Sequence, residues 1–353
     1  PEIPATKESI ERGRELYQLM ECFTCHGHAG RGDGESAPTL EDDWGNPIRP
    51  RNLNRAWTYR GGNTSRDMVI RFLSGLAGTP MPSYEGVFEE MEENWHLANY
   101  VRSLSPSEPN YATIIAAKPA AGEIPLDPED AFWSAIPGAN FPLVGQVIVD
   151  PRNFAPSIDM VAVRAAYTDQ QVAFHLAWDD PIRFQPGKTK EAVADAIAIE
   201  FPAELPEGRE RPYFLMGDAR APVYLLRWRN DSGVGEASAS GVGKVVPLKP
   251  QEVKGQVIYK DGRYQLVITR PRAAGGRANV LTFPVGKFVP IAFLAWDGDN
   301  GEAGSKMSLS SWYYLRLEPS PSRTRWVYAP LAAVGVFGLE LLGLRWARRR
   351  ARS

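Results

Sequence analysis

The chain has 353 residues, with 40 basic against 42 acidic side chains and two cysteines. That length suits two globular domains. Five of the arginines crowd into the last nine residues, so the remainder is mildly acidic and offers no support for nucleic-acid binding. The chain begins at Pro1 rather than Met, and a processed or trimmed N-terminus is expected.

In chain order, the first predicted helix carries Gly13 and Tyr17 and leads into Cys22-Phe23-Thr24-Cys25-His26. Cys-x-x-Cys-His is the attachment signature of a c-type haem, whose vinyl groups take both thiols while the adjacent histidine reaches the iron. Two rival readings fit poorly. A thioredoxin-like pair has no need of His26, and a zinc site wants a second pair of ligands where no third cysteine exists. With both thiols assigned to haem, none is left for a disulfide. Such attachment normally follows export, so a removed signal peptide is expected.

Beyond Cys25 come Gly27, Gly30, Gly32 and Gly34, then Ala37-Pro38-Thr39-Leu40, Gly78-Thr79-Pro80-Met81-Pro82, and a helical run from Trp95 to Leu104. Over residues 6–104 this resembles a class I cytochrome c. The resemblance implies an all-α domain at 1–104 in which Gly13 lets the first helix approach the last, with Trp95 or Tyr100 facing Tyr17. It also implies His26 and Met81 as axial ligands to the iron of haem c, and the Pro38 carbonyl as acceptor of the second His26 ring N–H. Pro80 and Pro82 stiffen the loop presenting Met81, whereas Met68 and Met91 sit at core-like helical spacing. His28 reads as a loop residue and His96 as surface or satisfied core. Arg51, Asn52, Trp57 and Tyr59 are either haem-propionate contacts or an ordinary polar loop.

The Pro- and Ala-rich stretch after Leu104 reads as a linker, 105–126. Then the period changes to two. Strands are predicted at Val161–Tyr167 and Gln171–Trp178 around a Thr168-Asp169 turn. Others are expected at Ala196–Phe201, Val223–Trp228, Gln256–Tyr259, Tyr264–Arg270, Ile291–Trp296 and Ser311–Leu317, with Asp261-Gly262 as a hairpin turn. Short strands with polar turns predict an antiparallel β-sandwich at 127–319.

This region resembles the haem-binding γ subunit of ethylbenzene dehydrogenase and its relatives in dimethyl sulfide dehydrogenase, selenate and chlorate reductases and nitrite oxidoreductase. The carrying phrases are Leu143–Ile148, His175–Pro181, Phe214–Asp218, Val289–Gly298, Gly304–Lys306 and Ser310–Tyr313. The resemblance implies a non-covalent haem b held between Met216 and Lys306, the lysine ligating only when neutral. Met160, Met307, Lys287 and His175 are rivals by residue type.

Trp326 to Leu344 gives 19 mostly apolar residues, followed by Arg345, Arg348, Arg349, Arg350 and Arg352. A helix of that length spans roughly 28 Å. Residues 320–353 therefore read as a single transmembrane helix, with Trp326, Tyr328 and Trp346 as interfacial anchors. The arginine excess over Arg323 and Arg325 places the C-terminus in the cytoplasm and both domains on the periplasmic side. Glu340 is the blemish in the span.

No nucleophile–base pair or phosphate loop stands out, so the chain reads as an electron-transfer subunit rather than an enzyme. The resemblance implies a setting beside a molybdenum and iron–sulfur oxidoreductase of nitrate reductase or nitrite oxidoreductase type, with a membrane quinol cytochrome and exported carriers as further partners. A second reading keeps one haem and makes the sandwich a docking module. A third makes it a carbohydrate-type binding module served by Trp133, Trp178, Trp228, Trp296 and Trp312.

Overall fold

The computed structural model describes residues 2–105, 110–180, 182–183, 193–208, 210–320 and 325–350, with side chains in the last segment from 336 onward except 349. The N-terminal part is helical: α1 (Lys7–Leu19), α2 (Phe23–His26), α3 (Ser65–Ser74) and α4 (Met91–Ser103). Thr6 caps α1 by accepting the Ser9 N–H at 3.2 Å. Thr64 and Asp67 form a reciprocal capping box on α3, and Gly75 ends it. Helices α1 and α4 cross at Gly13, where an added Cβ would lie 2.0 Å from the His96 carbonyl oxygen and 2.6 Å from Tyr100 Cβ. No side chain larger than hydrogen fits there. One turn on, Tyr17 and Tyr100 meet edge to face at 5.3 Å. His96 is half-buried with a partner, its Nδ1 2.9 Å from Ser9 Oγ, which accepts from Asn99.

Past residue 110 the chain is mostly strand: β1 (Ile114–Pro119), the short helix α5 (Ala131–Ala135), β2 (Ala139–Pro142), β3 (Val144–Gly145), β4 (Met160–Tyr167) and β5 (Gln171–Asp179). Then come β6 (Ala196–Pro202), β7 (Val223–Arg229), β8 (Gly233–Ala239), β9 (Val245–Pro247), β10 (Lys254–Lys260) and β11 (Arg263–Pro271). The last three are β12 (Phe288–Trp296), β13 (Ser308–Leu309) and β14 (Tyr313–Leu317). They join in one hydrogen-bonded path, β10-β11-β5-β4-β1-β14-β12-β6-β7-β8-β9, with β2, β3 and β13 attached beside it. The sheet folds over on itself. Phe174 on β5 lies 5.7 Å from Phe201 on β6, and Trp178 5.8 Å from Trp228 on β7, although these strands are far apart along the path.

The expected antiparallel sandwich needs one correction here. Strand β1 pairs parallel with both β14 and β4, and it lies within the 105–126 stretch read as linker. A strand that arrives by a long connection has no hairpin to impose an antiparallel direction.

The central core between the two layers holds Phe141, Phe174, Trp178, Phe201, Tyr224, Trp228 and Phe293. Because β5 and β6 are buried on both faces, two smaller clusters cover the outer sides. On one, small residues Ala166 and Ala173 receive Trp133 from α5, whose indole N–H donates to Pro125 O at 3.1 Å. Filling such a slot stabilises the fold by roughly 2–3 kcal/mol. On the other, Ala198, Leu225, Ala237 and Leu294 surround Met216 and Met307.

The C-terminal helix α6 (Arg325–Arg350) forms a separate unit with the residues from Glu318 onward. The transmembrane reading of 320–353 is corrected: among the described residues no helix is long and apolar enough to cross a membrane. Over the described side chains of α6, the apolar run carries Glu340 and gives way to Arg345, Arg348 and Arg350, which leaves too short an uncharged stretch to cross a hydrocarbon layer. The single-pass topology and orientation fall with it. Arg350 instead stacks its guanidinium 4.5 Å over the Trp346 ring. The side chains of Trp326 and Tyr328, and Arg323 and Arg352, lie outside the described residues.

Candidate functional site

Cys22 caps α2, and Cys25 and His26 lie in its single turn, which Gly27 terminates at φ +77°. With ψ at 158° beside that positive φ, Gly27 lies where an L side chain is strained, so the turn calls for glycine. The following loop folds back over the motif: Gly32 N–H donates to His26 O at 2.8 Å, Gly34 N–H to Cys25 O at 3.1 Å and Ser36 N–H to Thr24 O at 2.9 Å. Tyr17 donates its hydroxyl to Gly27 O at 2.7 Å, tying α1 to the same turn.

Both thiols are free and half-buried. Burial pushes the Cys22 thiol up to about 11, the opposite of what a reactive redox cysteine requires. Burial lowers the His26 imidazole below its ordinary value, opposed by its bond to a backbone carbonyl. That carbonyl is the one of Arg51, 3.0 Å from Nδ1. Pro38, expected in this role, sits exposed in a 3-10 turn, Ala37–Thr39. The Arg51 contact leaves Nε2 for a ligand bond.

Met81 is half-buried and packs on the same apolar cluster as Cys22, Phe23 and Tyr59, around Leu16, Leu53, Met68, Phe72 and Leu97. The loop presenting it is tied to the end of α3: Leu76 N–H donates to Met81 O at 3.2 Å and Tyr84 N–H to Phe72 O at 2.8 Å. Met68 is 1% exposed and fills the core, whereas Met91, at the start of α4, is 55% exposed. Two thiols, an imidazole and a thioether are the donor set a covalent haem requires, and Cys22 and Met81 pack on one apolar core. His28 stacks on Phe23 at 4.4 Å. Of the loop candidates, Arg51 is exposed. Tyr59 donates to Leu53 O at 3.0 Å, and Trp57 turns its ring edge to Tyr111 at 6.3 Å.

The polar loop also has a role no motif announced. It docks onto the β region. Asn52 Nδ2 donates to Asp179 Oδ2 at 2.9 Å, Arg49 to Asn300 Oδ1 at 3.1 Å, and Arg55 pairs with both Asp159 and Asp179. Arg263 approaches Asp179 from β11 at 3.5 Å. The only sequence signal was the Trp-Asp-Asp phrase that ends β5.

In the β region, Met216 is buried with φ +60° and packs beside Met307, Leu215, Trp296 and Trp312. Lys306 is half-buried and donates to Asn300 O at 2.8 Å. Beside it, Gln146 donates to Ser305 O at 2.8 Å and accepts the Ile148 and Val149 N–H groups, which displays Val147, Ile148 and Val149 as exposed apolar side chains. An apolar shelf next to a half-buried lysine suits a haem edge. To ligate an iron, Lys306 would have to leave the Asn300 carbonyl. Of the rivals, Met160 and His175 are buried in or against the sheet. His175 Nε2 meets Pro128 O at 3.2 Å.

The five tryptophans do not form a sugar-stacking platform. Trp133, Trp178 and Trp228 are buried, while Trp296 and Trp312 donate to Gly304 O and Pro212 O.

Residues 10–105 match the cytochrome c family. The chain is 27% identical over 238 residues to a protein of Haloferax mediterranei named as a respiratory nitrate reductase haem subunit, covering 63% of this chain and 84% of that one. It is 25% identical over 213 residues to chlorate reductase subunit gamma of Ideonella dechloratans, covering 59% and 86%. Both alignments are too long for the cytochrome part alone to account for them. Among solved structures, the reducing HAO-like protein complex of Kuenenia stuttgartiensis shares 41% identity at a TM-score of 0.29, over 30% of this chain and 48% of that chain. A family 9 carbohydrate-binding module of Caldicellulosiruptor kristjanssonii shares 9% identity at 0.36, over 60% and 98%. Neither superposition is close enough to support a functional inference.

Proposed function

Because residues 10–105 are a cytochrome c domain and the chain is homologous to subunits of nitrate and chlorate reductases, we propose that this electron-transfer haem protein is a dihaem subunit of a reductase complex. The observation that carries the reading is the shared core on which Cys22 and Met81 pack, with His26 in the adjoining turn. Cys22 and Cys25 would hold haem c, with His26 and Met81 on the iron. A haem bound there carries one electron at a time, and a thioether opposite an imidazole favours the reduced state. The Arg51 carbonyl fixes the His26 ring, and the loop-to-α3 bonds fix Met81.

Met216 and Lys306 would hold the second, non-covalent haem. Support comes from the apolar cluster around Met216 and the Val147–Val149 shelf beside Lys306. The partner enzyme would be a molybdenum and iron–sulfur oxidoreductase, with a quinol cytochrome as a further partner. A second reading keeps only haem c and leaves the β region as a docking module. It is favoured by the Lys306 bond to Asn300 O.

A pyridine haemochrome spectrum with haem quantified per chain decides between the two. One c and one b haem are expected, with haem b lost in Met216→Ala or Lys306→Ala while haem c stays. A single c haem in protein purified without haem loss would overturn the dihaem reading.

A further inference from the structure

Three aspartates that belong to neither haem donor set converge in the β region. Asp180 follows β5, Asp195 precedes β6 and Asp297 follows β12, and one carboxylate oxygen from each lies within 4.8 Å of the others. All are shut off from solvent, at 0%, 0% and 1% exposure.

Two of them are anchored by neutral donors. Asp195 accepts the Gly298 N–H at 3.0 Å and the Tyr264 hydroxyl at 2.7 Å. Asp297 accepts the Asp299 N–H at 2.9 Å, the Asn300 N–H at 3.2 Å and the Ser157 hydroxyl. Asp180 differs. Its Oδ1 accepts one long bond, 3.2 Å from the Ile182 N–H, while Oδ2 is fully buried without a hydrogen-bond partner. A buried carboxylate oxygen in that condition is costly unless something positive faces it. The neighbouring Asp195 and Asp297 carboxylates bring no positive charge to it. Glu302, also buried, stands behind Asp297 and accepts its N–H at 3.1 Å.

We infer that Asp180, Asp195 and Asp297 ligate a hard divalent cation of the calcium class. Three oxygens within 4.8 Å of one another lie no more than about 2.8 Å from a common point, a few tenths of an ångström from calcium's bond length of about 2.3–2.6 Å. An all-carboxylate set excludes metals that prefer thiolate or imidazole. A dry site disfavours magnesium, which keeps several waters. The ion joins three segments remote in sequence, and Asp179, the residue before Asp180, receives Arg55 and Asn52 from the cytochrome part. The cation therefore sets the strand end on which the cytochrome domain docks.

The test uses the full-length haem-loaded protein. Metal content is measured as purified by mass spectrometry. The protein is then stripped with EGTA and titrated with calcium chloride by calorimetry, and thermal unfolding is followed with and without calcium for the wild type and Asp180→Asn. One calcium per chain is expected, with a rise in Tm that saturates at that ratio and at least tenfold weaker binding in Asp180→Asn. No bound metal and no response of wild-type Tm to calcium would overturn the inference. A Tm raised by Asp180→Asn equally in EGTA and calcium would overturn it too, because the aspartates would then share a proton instead. The wild-type titration decides by itself should the variant not accumulate.

Discussion

Arg55 donates through Nη2 to Asp179 Oδ2 at 2.8 Å, joining the loop beyond the haem motif to the end of β5 across 124 residues of chain. Its other guanidinium nitrogen pairs with Asp159, and both Arg55 and Asp179 are largely buried. The cytochrome part is thus seated on the β region by a desolvated charge pair rather than merely tethered to it.

Removing one partner of such a pair strands the other. Arg55→Ala is expected to cost about 3 kcal/mol and to raise hydrogen exchange in residues 49–55 and at the end of β5. Exchange unchanged in both segments would show that the pair does not hold the domains together. Because the pair is shielded from solvent, moderate salt should have little effect on it.

Helix crossing at Gly13 gives a second expectation. In Gly13→Ala the new Cβ meets a backbone carbonyl, which cannot swing aside. The helices must separate, and a loss of about 3 kcal/mol or more follows. Thermal unfolding measures it, and the yield of protein with covalently attached haem should fall in parallel.

Met81 and Met68 separate ligation from packing. Met81→Ala should keep the haem on Cys22 and Cys25 yet lower its reduction potential, since the thioether is gone. Met68→Ala removes a buried core side chain and should cost about 2–5 kcal/mol with the potential nearly unchanged. Redox titration beside thermal melts distinguishes them, and an unchanged potential in Met81→Ala would remove that residue from the iron.

His175 predicts a pH dependence. Burial, helped by the Arg164 charge, lowers its imidazole to about 4 from an ordinary 6.5. The unfolded chain therefore binds the extra proton between those values and the folded one does not. Stability from this residue is complete above about pH 6.5 and is lost as pH falls toward 4, by on the order of 3 kcal/mol. His175→Gln should flatten that part of the stability–pH curve relative to the wild type. Identical slopes would show that other groups carry the acid transition.

Local rules in the sequence determined a good deal. The Cys22-x-x-Cys25-His26 spacing is chemistry within five residues, and the proline-flanked Met81 is nearly as local. Strands β4, β5, β7, β11 and β12 were legible as short runs rich in β-branched and aromatic residues bounded by turn residues, and the turn at Asp261-Gly262 was legible from backbone sterics. Strand β1 was hidden, since Pro- and Ala-rich composition resembles linker until β4 and β14 stand on either side of it. Strand β8, built of glycine and small residues, has little β propensity of its own. At the C-terminus, an apolar count over 19 residues suggested a span, whereas among the described residues no helix is long and apolar enough to cross a membrane.

Only the tertiary structure decided which carbonyl meets His26, that Asn52 and Arg55 face Asp179 rather than solvent, and that Asp180, Asp195 and Asp297 share one buried point. Each of these depends on where separate segments come together. A single side chain carries no signature of a partner 100 residues away, because charge and size fix what it can bind but only the packed fold fixes what is within reach.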